Sequence, residues 1–371
     1  MNLILLAMCL GTLAYLGGRH RLARTLPPVA FFALGTLIGP AGFGLFKLGQ
    51  VIALRPLALF CVAWIGFIIG TQAELRLWRK IGFNIPRLAI GISALAGLMA
   101  AVPVMVVFLI TGHGVIASIA ASLVMAAAGA PTALTNLAKG RFIRLGKACS
   151  GLDDFAALAL AALPFLLIGS DGQVHEVSRI FRDLGFMTIA GLSLGFAMML
   201  LVSVRAHLDE RLTICLGIVS LIAGVSADLG LAPFVVAGLS GVALINTRFR
   251  AKETIYQVFV DAERPVGLFV LLYAGMLIPN LNWVAIALGI SWATFRILGR
   301  YWAIKVFRAP ATLFPHTLSI GAAAPVVVVA YELLTQSAGF LLQVALIGWM
   351  ATEVTVIWLE THKRFTEARH A

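Results

Sequence analysis

The chain has 371 residues, 61% of them hydrophobic and 12% charged, with a mean hydropathy of +0.99. A water-soluble domain carries about 25% charged residues, so the composition excludes a protein whose main solvent is water. The net charge of +12 would suit nucleic acid, but its distribution along the chain assigns it to membrane topology instead, and no nucleic-acid partner is expected.

A helix needs about 20 mostly apolar residues to cross a bilayer. Divided by polar punctuation, the apolar runs predict spans at 2–18, 27–46, 51–72, 86–111, 114–137, 149–169, 184–204, 211–227, 231–246, 264–279, 282–304, 312–334 and 338–360. The fold class expected is an all-α polytopic membrane protein with thirteen transmembrane helices, forming a single membrane domain over 1–371. The first run has no basic residues ahead of it and meets Arg19, His20 and Arg21 only afterwards. That pattern fits a helix inserted with its N-terminus outside better than a cleaved signal peptide. Little chain follows the last run, so no soluble regulatory domain is expected. Cys9, Cys61, Cys149 and Cys215 are scattered, with no CxxC pair, and read as small buried apolar residues rather than disulfides or metal ligands.

The connections after spans 1, 3, 5, 7, 9 and 11 and the tail, counted with Arg87, Arg211, Arg264 and Arg300 at the adjoining span ends, hold 23 of the 28 Lys and Arg residues. Those after the even-numbered spans, counted with Arg55 at the adjoining span end, hold four, and Arg296 lies inside span 11. Basic loops stay on the cytoplasmic side, so the N-terminus is expected outside, the C-terminus inside and the span count odd. A missed or surplus span would break the alternation.

Charges within the spans are few, and each costs at least about 2.5–3.5 kcal/mol at mid-membrane. In chain order they are Asp153 and Asp154 in span 6, Arg296 in span 11 with Arg300 nearer its end, and Glu353 in span 13. Asp153 lies six residues past Lys147, Arg296 nine before Lys305 and Glu353 ten before Lys363, or about 9, 13 and 15 Å along a helix. All three fall in the inner half of the membrane, at depths where they can meet. Adjacent helical residues point about 100° apart, so Asp153 can pair with Arg296 while Asp154 faces a cavity. There a carboxylate takes up either a proton or a monovalent cation, and that competition is the chemistry of exchange. Plainer readings stay open at this point. Ser150-Gly-Leu-Asp153 is also a capping box, Arg296 a snorkelling side chain, and Glu353 a structural partner more readily than a ligand.

Two spans contain helix breakers: Gly129-Ala-Pro131-Thr132 in span 5 and Gly321-Ala-Ala-Ala-Pro325 in span 12. Proline removes a backbone donor and frees a carbonyl. Either one alone is equally an ordinary proline kink. Both, however, stand in the middle of three-helix groups, spans 4–6 and 11–13, which lie seven helices apart and so run in opposite senses. Inverted repeats with matching broken helices mark ion sites in transporters.

These segments resemble the monovalent cation:proton antiporter superfamily, the bacterial sodium/proton and Kef-type or NapA-like exchangers. The likeness runs in order through Leu34-Gly35 to Gly39-Pro40, Phe67-Ile-Ile-Gly70 with Glu74-Leu-Arg, and Ala130-Pro131-Thr132. It continues through Gly151-Leu-Asp153-Asp154-Phe155-Ala156, Leu229-Gly230 to Gly238, and Leu272-Tyr273-Ala-Gly275-Met276. The resemblance implies core helices near 86–169 and 282–360 moving, elevator-like, against dimerisation helices near 1–72 and 184–279. It implies a homodimer in the lipid of a bacterial inner membrane, with H⁺ and Na⁺ (or K⁺ or Li⁺) as transported ions and no cofactor. By position, Asp154 is the ion- and proton-binding carboxylate, Asp153 its neighbour, and Thr132 a further ligand, with Pro131 and Pro325 at the crossover and Glu353 beside it. Two departures matter. Electrogenic members usually carry Lys where Arg296 falls, and arginine is not deprotonated in proteins, so one-for-one electroneutral exchange is expected. Span 12 has alanines where relatives often carry polar residues, which leaves the cation's identity open.

A sodium-coupled solute symporter of related fold is the alternative, but spans 4–6 supply few polar residues beyond the two aspartates. An intramembrane aspartyl protease needs two carboxylates sharing a proton, normally from separate helices, and no GxGD or HExxH occurs. A membrane anchor without transport leaves the buried charges without a purpose.

Overall fold

The computed structural model describes residues 28–75, 84–130, 143–168, 174–203, 208–247, 252–308, 323–335 and 339–370, together with Gly11 and Leu318. The expected first span, Gly11 apart, lies outside the described residues, as do Pro131 and Thr132. The described residues form thirteen α-helices: α1 Pro28–Ile38, α2 Leu48–Ile52, α3 Arg55–Gln72, α4 Asn84–Ile110, α5 Val115–Gly129, α6 Ile143–Leu167, α7 Val177–Ser203, α8 Leu208–Asp228, α9 Pro233–Asn246, α10 Lys252–Met276, α11 Trp283–Val306, α12 Ala323–Thr335 and α13 Phe340–His370. Among those residues there is no β-strand, only an isolated bridge between Ile168 and Val174. The number equals the expected span count because the short α2 is added where span 1 is not described.

Prolines and glycines set most of the boundaries that differ from the expected ones. Span 27–46 is helical only to Ile38. Pro40 has no N–H to continue the ladder, and the chain turns back through Phe43 N–H on the Leu37 carbonyl (2.6 Å), with Gly44 at φ +63°. Pro56 and Pro233 stand in the first turns of α3 and α9, where a missing N–H costs nothing. The fifth span stops at Gly129, two residues before Pro131. Pro325 lies in the first described turn of α12, where its missing N–H breaks no bond within the described helix. In α6 the helix starts at Ile143, earlier than the expected 149, and runs through Asp153 without a break. Asp153 therefore sits in the third turn, and the capping-box reading of Ser150 and Asp153 does not apply.

Two sets of helices pack mainly among themselves. In one, α3 crosses α9 and touches α8 and α10, α10 also packs on α1, and α7 on α9. The α3–α9 crossing is backbone against backbone. A Cβ on Gly66 or Gly70 would collide with the carbonyl oxygens of Phe234 and Gly238, the close approach that small residues allow between membrane helices. In the other set α4 packs on α5, α6 and α11, α11 on α13, and α5 on α6 and α12. The sets meet chiefly where α6 and α12 lie on α3, with α12 also touching α9 and α10.

Arg55–Gln72, Arg87–Ile110, Val177–Val202 and Phe340–Leu359 are long and apolar enough to cross a bilayer, and Val115–Gly129 and Ala324–Thr335 are among five shorter apolar helices. The last two belong to the spans that contain the breakers. On α7 the aromatic and aliphatic residues Phe181, Phe186, Ile189, Leu192 and Phe196 are all exposed, an outward apolar surface that only lipid or another apolar chain satisfies. The chain is a multi-pass membrane protein.

Candidate functional site

The site forms where α5 is interrupted. A helix that ends inside a protein leaves its last carbonyls without intrahelical partners, and those oxygens carry the negative end of the helix dipole. On α11, Trp292, Arg296 and Arg300 recur every four residues and so share one face. That face lies along the end of α5. Trp292 Nε1 donates to the Met125 carbonyl (3.1 Å) and Arg296 Nε to the Gly129 carbonyl (2.9 Å). Arg300 Nη2 donates to the Gly129 carbonyl at 3.3 Å and to that of Ala130. Arg296 Nη1 also donates to the Leu318 carbonyl (2.8 Å), from the segment just before α12. One guanidinium thus joins backbone from both interrupted spans. Positive charge and freed carbonyls satisfy each other where no water is present to do so.

Arg296 and Arg300 are both 0% exposed. The snorkelling reading of Arg296 therefore fails, because a snorkelling side chain keeps its head group in solvent. Arg296 acts electrostatically with Arg300 and with Glu353 of α13, which is half-buried. Arg300 also acts electrostatically with Asp153. The sequence places Arg300 near an end and gives it no partner, yet its position four residues after Arg296 is the signal that both belong to one stripe.

Asp153 and Asp154 are 3% and 7% exposed. Being adjacent, they point to different sides of α6. Asp153 lies on the side governed by Arg300. Asp154 shares its face with Leu158, one turn on, whose Cδ1 packs against Gly238 of α9. Asp154 therefore looks towards the α3–α9–α10 set. Its Oδ1 is buried and has no hydrogen-bond partner among the described residues, and its electrostatic neighbours are Asp153 and Glu263 of α10. An ionised carboxylate held this way lacks both solvent and donor, a state that a proton or a cation relieves.

Of the residues singled out in the sequence, the structure brings Asp153, Asp154 and Arg296 into one buried region, with Glu353 at its edge and Pro325 at the start of α12. Thr132 and Pro131 lie outside the described residues. Two acidic residues escape the sequence reading. Glu263 falls one residue before the expected start of span 10, but α10 begins at Lys252 and carries it well inside the helix. Glu332, 6% exposed near the end of α12, accepts a hydrogen bond from Gly339 N–H (3.3 Å).

No protein-family model matches the sequence, and no curated protein sequence matches it. Among solved structures, the chain is similar to the sodium proton antiporter MjNhaP1 from Methanocaldococcus jannaschii in its structure at pH 8, with a TM-score of 0.66 and 14% identity over 96% of this chain and 95% of that one. An electron-microscopy structure of the same antiporter gives a TM-score of 0.64 at 14% identity over 97% and 96%. At that identity the likeness establishes architecture, and over nearly the full length of both chains the protein has the sodium/proton antiporter fold.

Proposed function

We propose that the chain is a secondary active transporter, not an enzyme, which exchanges protons for a monovalent cation, Na⁺ ahead of K⁺ or Li⁺, across a bacterial inner membrane. The observation that carries this reading is Asp154, a buried carboxylate with an unsatisfied oxygen, next in the chain to Asp153, on which the buried Arg300 acts. Asp154 binds the cation or the proton, but not both. Arg300 and Arg296 hold the interrupted helices and balance Asp153, so that a single carboxylate is left to trade. Arg296 keeps its proton throughout, and exchange is one-for-one and electroneutral. The core helices carry the site past the scaffold helices by an elevator motion, and the protein works as a homodimer. The solved structures of similar fold, both of a sodium proton antiporter, support this reading.

The test is proton flux in proteoliposomes with Na⁺, Li⁺ and K⁺ added separately to wild type and to Asp154→Asn. Cation-driven pH change in the wild type and its loss in a variant that still purifies as a folded protein is the expected result. No response to any cation from folded wild-type protein refutes the reading.

A further inference from the structure

Glu263 has no role in the exchange scheme above, yet it faces the residue on which that scheme turns. Glu263 lies on α10 and Asp154 on α6, two helices that the alternation of spans makes run the same way. Both helices pack against α3 and against α12 while making little direct contact with each other among the described residues. The gap between α6 and α10, bridged by α3 and α12, has one acid on the helix at either side.

Neighbouring side chains fix the directions. Leu158, one turn beyond Asp154, packs on Gly238 of α9, which turns Asp154 out of its own helix set. Phe259, one turn before Glu263, stacks on Phe67 of α3 with ring centroids 4.3 Å apart, and its carbonyl accepts from Trp64 Nε1 (3.3 Å). Glu263 is thereby turned inward and is half-buried, whereas Asp261 and Arg264 on either side are exposed. The two carboxylates act on each other electrostatically across the gap. The other charged groups on these elements are Arg144, Lys147 and Asp153 on α6, Lys252, Glu253, Asp261 and Arg264 on α10, Arg55 at the first residue of α3 and Glu332 towards the far end of α12, with Arg296, Arg300 and Lys305 on α11, while α9 contributes none. With Asp154 Oδ1 buried and without a hydrogen-bond partner among the described residues, the gap is a place for a positive charge.

We infer that Glu263 is a second carboxylate of the exchange site, supplied by the opposite helix set, so that a cation or proton taken up at Asp154 lies between two acids. This rests on the proposed exchange at Asp154 and extends it. An ion held from both sides binds well only while the two helix sets are in this relative position, and any displacement that separates α6 from α10 weakens its hold. Affinity then changes with conformation.

The experiment compares wild type, Glu263→Gln and Glu263→Asp in proteoliposomes. It records the apparent KM and kcat for the cation that the wild type exchanges, and the pH of half-maximal flux. In parallel, the cation-dependent rise in melting temperature is measured in detergent, which reports binding without transport. Expected for Glu263→Gln are an apparent KM raised about tenfold, the scale of one unit charge acting across a partly solvated gap, a half-maximal pH moved to more acidic values, and a smaller cation-induced thermal shift. Glu263→Asp restores most of each. Wild-type KM, pH profile and thermal shift in Glu263→Gln overturn the inference and leave exchange at Asp154 standing. A fall in kcat alone, with KM and thermal shift unchanged, overturns it too, since a merely structural role gives that result. A wild type that exchanges no cation refutes the exchange reading itself, which the Glu263 comparison then cannot be mistaken for.

Discussion

Replacing Arg296 with methionine keeps the bulk and removes the charge and its donors. In the structure that side chain donates to Gly129 and Leu318 carbonyls at 2.9 and 2.8 Å from a fully buried position. The Gly129 oxygen retains Arg300 Nη2 at 3.3 Å, whereas the Leu318 oxygen loses the Arg296 donor. A hydrogen bond to a charged group contributes roughly 1.5–3 kcal/mol, and stripping one partner from a buried charge network costs about 3–5 kcal/mol. The two routes agree on a loss of about 3–5 kcal/mol. At roughly 2–4 °C per kcal/mol for large domains, the melting temperature falls by roughly 6–20 °C. Arg296→Lys keeps a point charge without the planar fork and loses about half as much. The assay is thermal melting followed by size-exclusion chromatography in detergent, with Leu298→Ala, an outward-facing change on the same helix, as control. If Arg296→Met melts with the wild type, the argument that buried guanidinium holds the interrupted helices together is wrong.

Three further outcomes follow from the same geometry. Arg300→Gln takes away the positive charge acting on Asp153, so half-maximal exchange moves to more alkaline pH, read from flux across a pH series; an unmoved profile would show that Arg300 serves the helix ends alone. Gly70→Leu drives a side chain into the Gly238 carbonyl, and overpacking there costs at least about 1–3 kcal/mol. It should lower the yield of monodisperse protein, whereas the same change at Gly217, which has open space around it, should not. With Arg296 unable to lose its proton, wild-type exchange under clamped pH builds no membrane potential, and a cation-driven potential reported by a voltage-sensitive dye would rule out one-for-one exchange.

Much of the architecture is legible in the sequence because the physics behind it is one-dimensional. Apolar length marks the spans, and Pro40 marks where the second one turns back. The charges at Asp153, Asp154 and Arg296 stand out because a bilayer makes them expensive wherever they point. What was hidden is lateral. Arg300 reads as a residue near a helix end until its four-residue step from Arg296 is set against the Met125 and Gly129 carbonyls. Glu263 is lost because hydropathy places the start of span 10 at residue 264, while the helix itself extends back to Lys252 through an amphipathic stretch that packing stabilises. The start of α6 at Ile143 is hidden for the same reason, and with it the fact that Asp153 is mid-helix. Depth can be counted along a chain, but the neighbour across a gap cannot.

The contact between α3 and α9 has a consequence for how such a protein changes over time. Where two helices meet through their main chains, the joint asks only that a few positions stay small, and the rest of each helix is released from any need to match its partner's side chains. Facing lipid, those positions have to remain greasy and little else. A chain built on such joints can replace most of its residues while its framework stays put. Deep divergence is then a property of the architecture, and the few residues that cannot drift are the ones worth mutating.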